Sequence, residues 1–277
     1  MALVINHNIA SINAQRNLAN TGRSLGKAFE RVSSGLRVNS AADDAAGLGV
    51  AENLEAASRS ARVAMRNTND GISVVQTAEG ATSEVGNILK RMRELAVQSS
   101  SETLESNERA YVQDEFSSLS AEVERISNVT EFNGLKLTDG TTNTTLAVQV
   151  GVNNTANDRI SITLGDLSTS TLGVSTGDMS LNSAASAQSA ITDIDTALDS
   201  VNGYRSNYGA VQNRLTDSLV NLEVYSENLV SAESRIRDAD FAHETAQMAK
   251  LQIMQQAGMS VLSQTGSAQQ GVLSLIR

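Results

Sequence analysis

Two histidines, His7 and His243, are the only imidazoles in a chain of 277 residues, and they stand near opposite ends of it. If the ends pair, the two rings could meet and share a metal ion. Zinc, however, takes four ligands in a closed site, and two nitrogens do not close one. Interface or solvent-facing histidines are the plainer reading, and no metal is expected. Asp43 with Asp44, and Glu122 with Glu124, have the look of paired carboxylates. Acid–base work needs such a pair held in a cleft that perturbs its ionisation. These acids fall on or beside helical patterns, where a helix start or a solvated face is the natural place for them. Gly47-Leu48-Gly49 does not extend to a phosphate-binding fingerprint and does not follow a strand, so close backbone packing accounts for it better. Asn128-Val-Thr130, Asn143-Thr-Thr145 and Asn153-Asn-Thr155 fit the glycosylation sequon, a pattern short enough to arise by chance. Cys is absent, which removes disulfides, thiolate metal sites and thiol nucleophiles together. No catalytic constellation and no cofactor site follows from these residues.

The elements that carry them are long helices. Apolar residues run Leu3, Ile5, Ile9, Ile12, Leu18, Leu25, Phe29, Val32, Leu36 at one end. At the other they run Phe241, Met248, Leu251, Met254, Val261, Leu262, Val272, Leu275, Ile276. Spacings of three, four and seven mark one face of a helix. A helix with a single apolar stripe needs a partner surface; each terminus is the other's nearest candidate, followed by a neighbouring molecule. The sequence therefore points to a self-assembling structural protein rather than an enzyme.

Composition agrees. Only 3% of residues are aromatic, so thin helical layers of Ala, Leu, Val and Ile are expected in place of one thick core. Pro is absent, which permits very long uninterrupted helices. The formal charge of -10 argues against nucleic acid, whose binders carry a basic stripe. It keeps monomers soluble and lets salt favour association by screening. No run of apolar residues is long enough for a membrane span, so no membrane insertion is expected. The first residues lack the basic and apolar regions of a cleavable signal peptide, so any secretion is expected to use another route.

Along the chain, residues 1–40 read as a helix interrupted by Gly22 and Gly26 and ended by Gly35, with Ser40 and Asp43 approximating a capping box for the next. One very long helix is expected over about 44–103 and a shorter one over about 107–128. Leu146, Val148, Val150 and Ile160, Ile162, Leu164 alternate as strands do, which predicts a hairpin near 146–164. The Ser/Thr/Gly-rich stretch 165–183 reads as an exposed loop. A third long helix spans about 184–230 and leads to a C-terminal helix near 235–275. The fold class is mainly α: long antiparallel helices with one small β-hairpin, outer elements pairing with each other and inner ones likewise.

At this level of detail the residues resemble bacterial flagellins. The likeness is carried by Ile5-Asn-His-Asn-Ile9, Ser34-Gly-Leu-Arg37, Asn39-Ser-Ala-Ala-Asp-Asp-Ala-Ala-Gly-Leu48, Arg66-Asn-Thr-Asn-Asp-Gly-Ile72, Gln76-Thr-Ala-Glu-Gly80, Arg93-Glu-Leu-Ala-Val-Gln98 and Glu131-Phe-Asn-Gly134. At the far end it is carried by Ala257-Gly258, Val261-Leu262 and Val272-Leu-Ser-Leu-Ile-Arg277. It spans about residues 1–165 and 185–277. The family often has a Pro near Gln269–Gly271; this chain has none, so its last helix is expected to run straighter.

The resemblance implies an inner coiled-coil domain from 1–40 and 235–277, a rod-like helical domain from 41–234, and a minimal subunit without large outer domains. It implies a helical homopolymer in the extracellular flagellum, exported unfolded through the type III channel and added at the distal tip. The partners implied are other copies of itself, a cap protein, an export chaperone and the hook–filament junction protein. The filament-core interface would be Ile5, Ile9, Ile12, Leu18, Leu25, Phe29, Val32, Leu36, Met248, Leu251, Val261, Leu262, Val272, Leu275 and Ile276. Arg91, Leu95 and Glu115 match the positions seen by the innate immune Toll-like receptor for flagellin. Exposed Ser168, Thr169, Ser170 and Thr171 are the implied O-glycosylation candidates. A junction protein of the same apparatus, or a secreted adhesin with flagellin-like ends, are the alternatives; the fully matched Ser34–Leu48 motif and the short middle weigh against them.

Overall fold

The computed structural model of the chain describes residues 8–140, 144–177 and 179–275, and of 268–275 only the backbone. Helix α1 spans Ile9–Ser34. The Asn8 side chain accepts from the Ser11 N–H at 3.0 Å and opens it, and Gly35 in the left-handed conformation closes it. Gly22 and Gly26 do not interrupt it: each costs about 1 kcal/mol against Ala, too little to break a helix held from outside.

Helix α2 is a single element over Ala45–Ser99. Its start corrects the expected cap. Ser40 bonds to Asp43 in a turn of its own, while Asp44 accepts the Gly47 N–H at 2.8 Å. A side chain at 47 would lie 2.3 Å from the Asp44 carboxylate, so this glycine makes room for the cap. Helix α3 spans Ser106–Val129. From its first turn the buried Arg109 donates to the carbonyls of Ser99 and Ser101, satisfying acceptors that the end of α2 leaves open.

Two antiparallel hairpins follow. β1 (Glu131–Phe132) and β2 (Leu135–Lys136) turn through Asn133 and Gly134, both at positive φ. β3 (Thr145–Gln149) pairs with β4 (Arg159–Thr163), Val148 opposite Ile160 and Leu146 opposite Ile162. This second hairpin is the one the alternation predicts. Helix α4 (Thr169–Leu172) is short; α5 covers Ala184–Arg237 and α6 covers Phe241–Leu275 without a break.

The described chain divides into two compact units, Met1–Ser58 with Asn228–Arg277, and Arg59–Glu227; α2 and α5 contribute to both. The second unit holds the cores. Leu89, Met92, Leu95 and Ala96 of α2 meet Val112, Phe116 and Val123 of α3 and Ala190, Ile194 and Val201 of α5. Val74, Val75 and Ala78 meet the inner face of β3–β4 with Tyr208, Val211 and Leu215.

The stretch 165–183 is not the exposed loop that its composition suggests. Leu167, Leu172, Val174, Met179 and Leu181 are buried, and α3 holds the backbone between them. Ser120 donates to the Val174 carbonyl at 2.9 Å and Gln113 accepts the Leu181 N–H at 2.6 Å. Polar side chains of α3 thus satisfy the main chain that the segment buries.

Candidate assembly surface

In the first unit α1 and α6 run antiparallel. Asn8 reaches the Thr265 carbonyl, Gly258 sits against Leu18, Arg31 pairs with Glu244 at 3.2 Å, and Leu36 bridges to Asp238. The pairing of the outer elements thus follows the sequence expectation. What it buries is small. Among the described residues the unit's buried apolar side chains are Ala28, Val38, Ala51, Leu229 and Leu251. Leu18, Leu25, Val32, Leu36, Met248 and Leu262 are half-buried at the seam.

The remaining candidates face outward. Ile9, Ile12, Phe29 and Val261 are exposed, Phe29 by 65%. Ile5 and Ile276 lie outside the described residues, as do the side chains of Val272 and Leu275. The expectation of one apolar stripe needs correction on α6. Phe241, Ile253, Met254, Met259 and Val261 are exposed on sides of the helix that α1 does not cover, Ile253 by 67%, so apolar residues surround it. Helices apolar all round are buried ones. The charged residues of α1, by contrast, gather on one side: Arg16, Arg23, Lys27, Glu30 and Arg31.

Arg91 and Glu115 are exposed and joined at 2.8 Å across α2 and α3. Hydrogen bonds from Arg91 to Glu94 and Glu115 raise its pKa above the ordinary arginine value. Leu95 is corrected from a contact to a core residue. It is 1% exposed because its helix face turns into the core that holds Phe116. Thr169 is corrected likewise: it is buried, and its N–H and hydroxyl both donate to Glu124. Those two bonds, the backbone one first, hold the Glu124 carboxyl below its usual range. Ser168 is half-buried and accepts the Thr171 N–H; Thr171 donates to Asp166; Ser170 is exposed.

His243 is exposed near the start of α6, and His7 lies outside the described residues. Among the described residues no group of three or more His, Cys, Asp or Glu could hold a metal, and no helix is long and apolar enough to cross a membrane. Asp43 makes an ion pair with Lys27 at 3.3 Å and Asp44 caps α2, while Glu122 binds Arg125, so each carboxylate has a structural partner.

Known proteins match nearly the whole chain in sequence. The bacterial flagellin N-terminal helical region matches residues 5–144 and the bacterial flagellin C-terminal helical region matches 191–276. A flagellin of Halalkalibacterium halodurans is 46% identical over 99% of this chain and 100% of its own length. A flagellin of Bacillus subtilis is 38% identical over 99% of each. The crystal structure of Bacillus cereus flagellin superposes with a TM-score of 0.50 at 31% identity, covering 57% of this chain and 88% of that one.

Proposed function

The chain belongs to the bacterial flagellin family and is a structural subunit of the flagellar filament, and from that premise we propose how its ends build the polymer. Residues 1–40 and 235–277 form the inner domain of the filament, and 41–234 forms the outer helical one. Phe29 of α1 and Phe241, Ile253 and Val261 of α6 face neighbouring copies, while Leu18, Leu25, Val32, Met248, Leu251 and Leu262 close the seam within one subunit. Burial against neighbours is worth roughly 25 cal/mol per Å². Ordering the ends costs about 1–2 kcal/mol per residue in backbone alone, so a lone subunit does not hold them as firmly as a lattice does. Polymerisation is coupled to ordering, and heterologous contacts that do not close a ring extend as a helix.

The observation that carries this reading is the apolar circumference of α6 beside so few buried side chains in its own unit. Deleting residues 258–277 is expected to abolish sedimentable filaments while Arg59–Glu227 keeps its cooperative thermal transition. Filaments grown from the truncated chain would overturn the reading.

The finer partners belong to the same proposal. The subunit is exported unfolded by the flagellar type III route with an export chaperone, joins the filament beneath a cap protein, and begins it on the hook–filament junction protein. The exposed Arg91–Glu115 pair is the surface for the Toll-like receptor for flagellin. Monomer should activate receptor-bearing cells and Arg91→Ala should not; silence from the unmutated chain removes that part. Within 168–171 Ser170 and Thr171 are the exposed residues, and since the Thr171 hydroxyl is engaged by Asp166 Ser170 suits an O-glycan better; an intact mass equal to the bare chain removes that part.

A further inference from the structure

We infer that Met254 and Met259 are oxidation sites at which a peroxide switches subunit assembly off; this rests on the terminal surface proposed above. The methionines of the described chain are graded by exposure. Met92 and Met179 are 0% and 4% exposed in the core of the second unit, Met65 and Met248 are half-buried, and Met254 and Met259 are 41% and 51% exposed. Oxidation follows access to sulfur, so the two on α6 react first. They stand on opposite flanks of that helix. Met254 shares a flank with Val261, two turns on, and Met259 shares the other with Phe241, five turns back. Both flanks lie outside the α1 seam, so each thioether sits on a surface meant for a neighbouring copy.

The chemistry is a two-electron oxygen transfer. The sulfur lone pair attacks one oxygen of hydrogen peroxide, an S–O bond forms as the O–O bond breaks, and the other oxygen leaves as water after taking up a proton. A flexible apolar side chain becomes a strongly polar one. Set into a dry subunit contact, the sulfoxide oxygen loses water without gaining a donor. The free subunit keeps its fold, because no core is altered, but it no longer stacks. Methionine sulfoxide reductases acting on both epimers reverse the change, with a dithiol oxidised to a disulfide and water released. Since the chain has no Cys, thioethers are its readiest sites for a peroxide.

The test uses full-length monomer at low salt, a limiting dose of hydrogen peroxide, peptide mapping by mass spectrometry, and salt-induced polymerisation read by sedimentation. Sulfoxide is expected at 254 and 259 before 92 and 179, with at least a tenfold fall in sedimentable polymer. Reductase treatment should restore it. The double variant Met254→Leu/Met259→Leu keeps apolar volume and should polymerise through the same dose. In preformed filaments both sulfurs should oxidise at least tenfold more slowly. Undiminished polymerisation of chains oxidised at both positions overturns the inference, as does an equal loss in the double-Leu variant, failure of the reductase to restore polymer, or equal rates in monomer and filament. None of these outcomes touches the truncation result, which alone decides whether the ends are the assembly surface.

Discussion

The two units use the same kind of helix for opposite ends. In Arg59–Glu227 the apolar faces of α2, α3 and α5 meet one another and the hairpin β3–β4, and Phe116, Leu89, Ile162 and Leu215 are wholly buried. In the terminal unit the apolar side chains are as numerous along the sequence, yet Ile9, Phe29, Phe241, Ile253 and Val261 stay in solvent. Among the described residues the helices are formed in both. What differs is where the partner surface comes from: one unit carries its own, and the other is proposed to borrow it from a neighbour. A helix can thus be fully formed and still hold most of its stabilisation in reserve.

The sharpest way to break that comparison is to remove one phenyl ring from each unit. Phe116→Ala empties a site with no exposure and should cost about 3–5 kcal/mol. Phe29→Ala removes a ring that is mostly in water, and should change monomer stability by no more than about 0.5 kcal/mol while lowering the yield of filament. The probe for the first is built in. The chain has no Trp and four Tyr, and Tyr111, Tyr204, Tyr208 and Tyr225 all belong to the second unit, so urea unfolding followed by tyrosine emission reports that unit alone. A large shift from Phe29→Ala in the same signal would mean that the units are not separate in the way described.

A smaller effect comes from adding a methyl group instead. At Gly165 a Cβ would come within 2.5 Å of the Tyr204 ring. The residue also donates its N–H to the buried Tyr208 hydroxyl at 2.8 Å, the phenol whose pKa burial pushes up. Gly165→Ala must displace a packed ring and should cost about 1–3 kcal/mol, seen as a lower urea midpoint. At Gly258 the same methyl would meet only the Leu18 side chain at 3.2 Å, which is half-buried and has room to turn. Gly258→Ala should be neutral or gain up to about 1 kcal/mol of helix propensity, read as equal or greater helicity in the monomer. Loss of helicity there would show the terminal seam to be as tightly packed as the core.

These contrasts also mark how far the sequence can be read. The long helices were legible because apolar residues recur every three or four positions and no Pro intervenes. The β3–β4 hairpin was legible because Leu146, Val148, Ile160 and Ile162 alternate. The β1–β2 hairpin carried a signal too, Asn133-Gly134 between apolar neighbours, but its strands are too short to show periodicity. The burial of 165–183 was hidden because the partners of its buried main chain, Ser120 and Gln113, lie far away in sequence on α3, and composition does not show where a hydroxyl points. On α6 the selection of positions at stripe spacing passed over Ile253 and Met259, the residues that make the helix apolar all round. Leu95 and Thr169 were misplaced for one reason: a motif names a position, and burial depends on which side of the helix or turn packs inward.

The smallest expected effect concerns acid, and it falls on the unit with its own core. Glu124 of α3 receives the N–H and hydroxyl of Thr169 at 3.0 and 2.8 Å, which ties the α4 segment down and lowers the carboxyl from its ordinary value of 4.5. A folded pKa below the unfolded one means that the folded state holds the proton less well. The stabilisation is therefore complete above about pH 4.5 and drains away as the pH falls through the lowered folded value. Glu124→Gln keeps the shape and one acceptor oxygen but has no charge to lose. At neutral pH the variant should unfold at slightly lower urea than the parent, and the gap should close in acid, where the parent's carboxyl is protonated and resembles the amide. A gap that stays constant from neutral pH to below pH 3 would assign the difference to packing rather than to ionisation, and would leave the 165–183 segment held by its buried apolar side chains and by its bonds to Ser120 and Gln113.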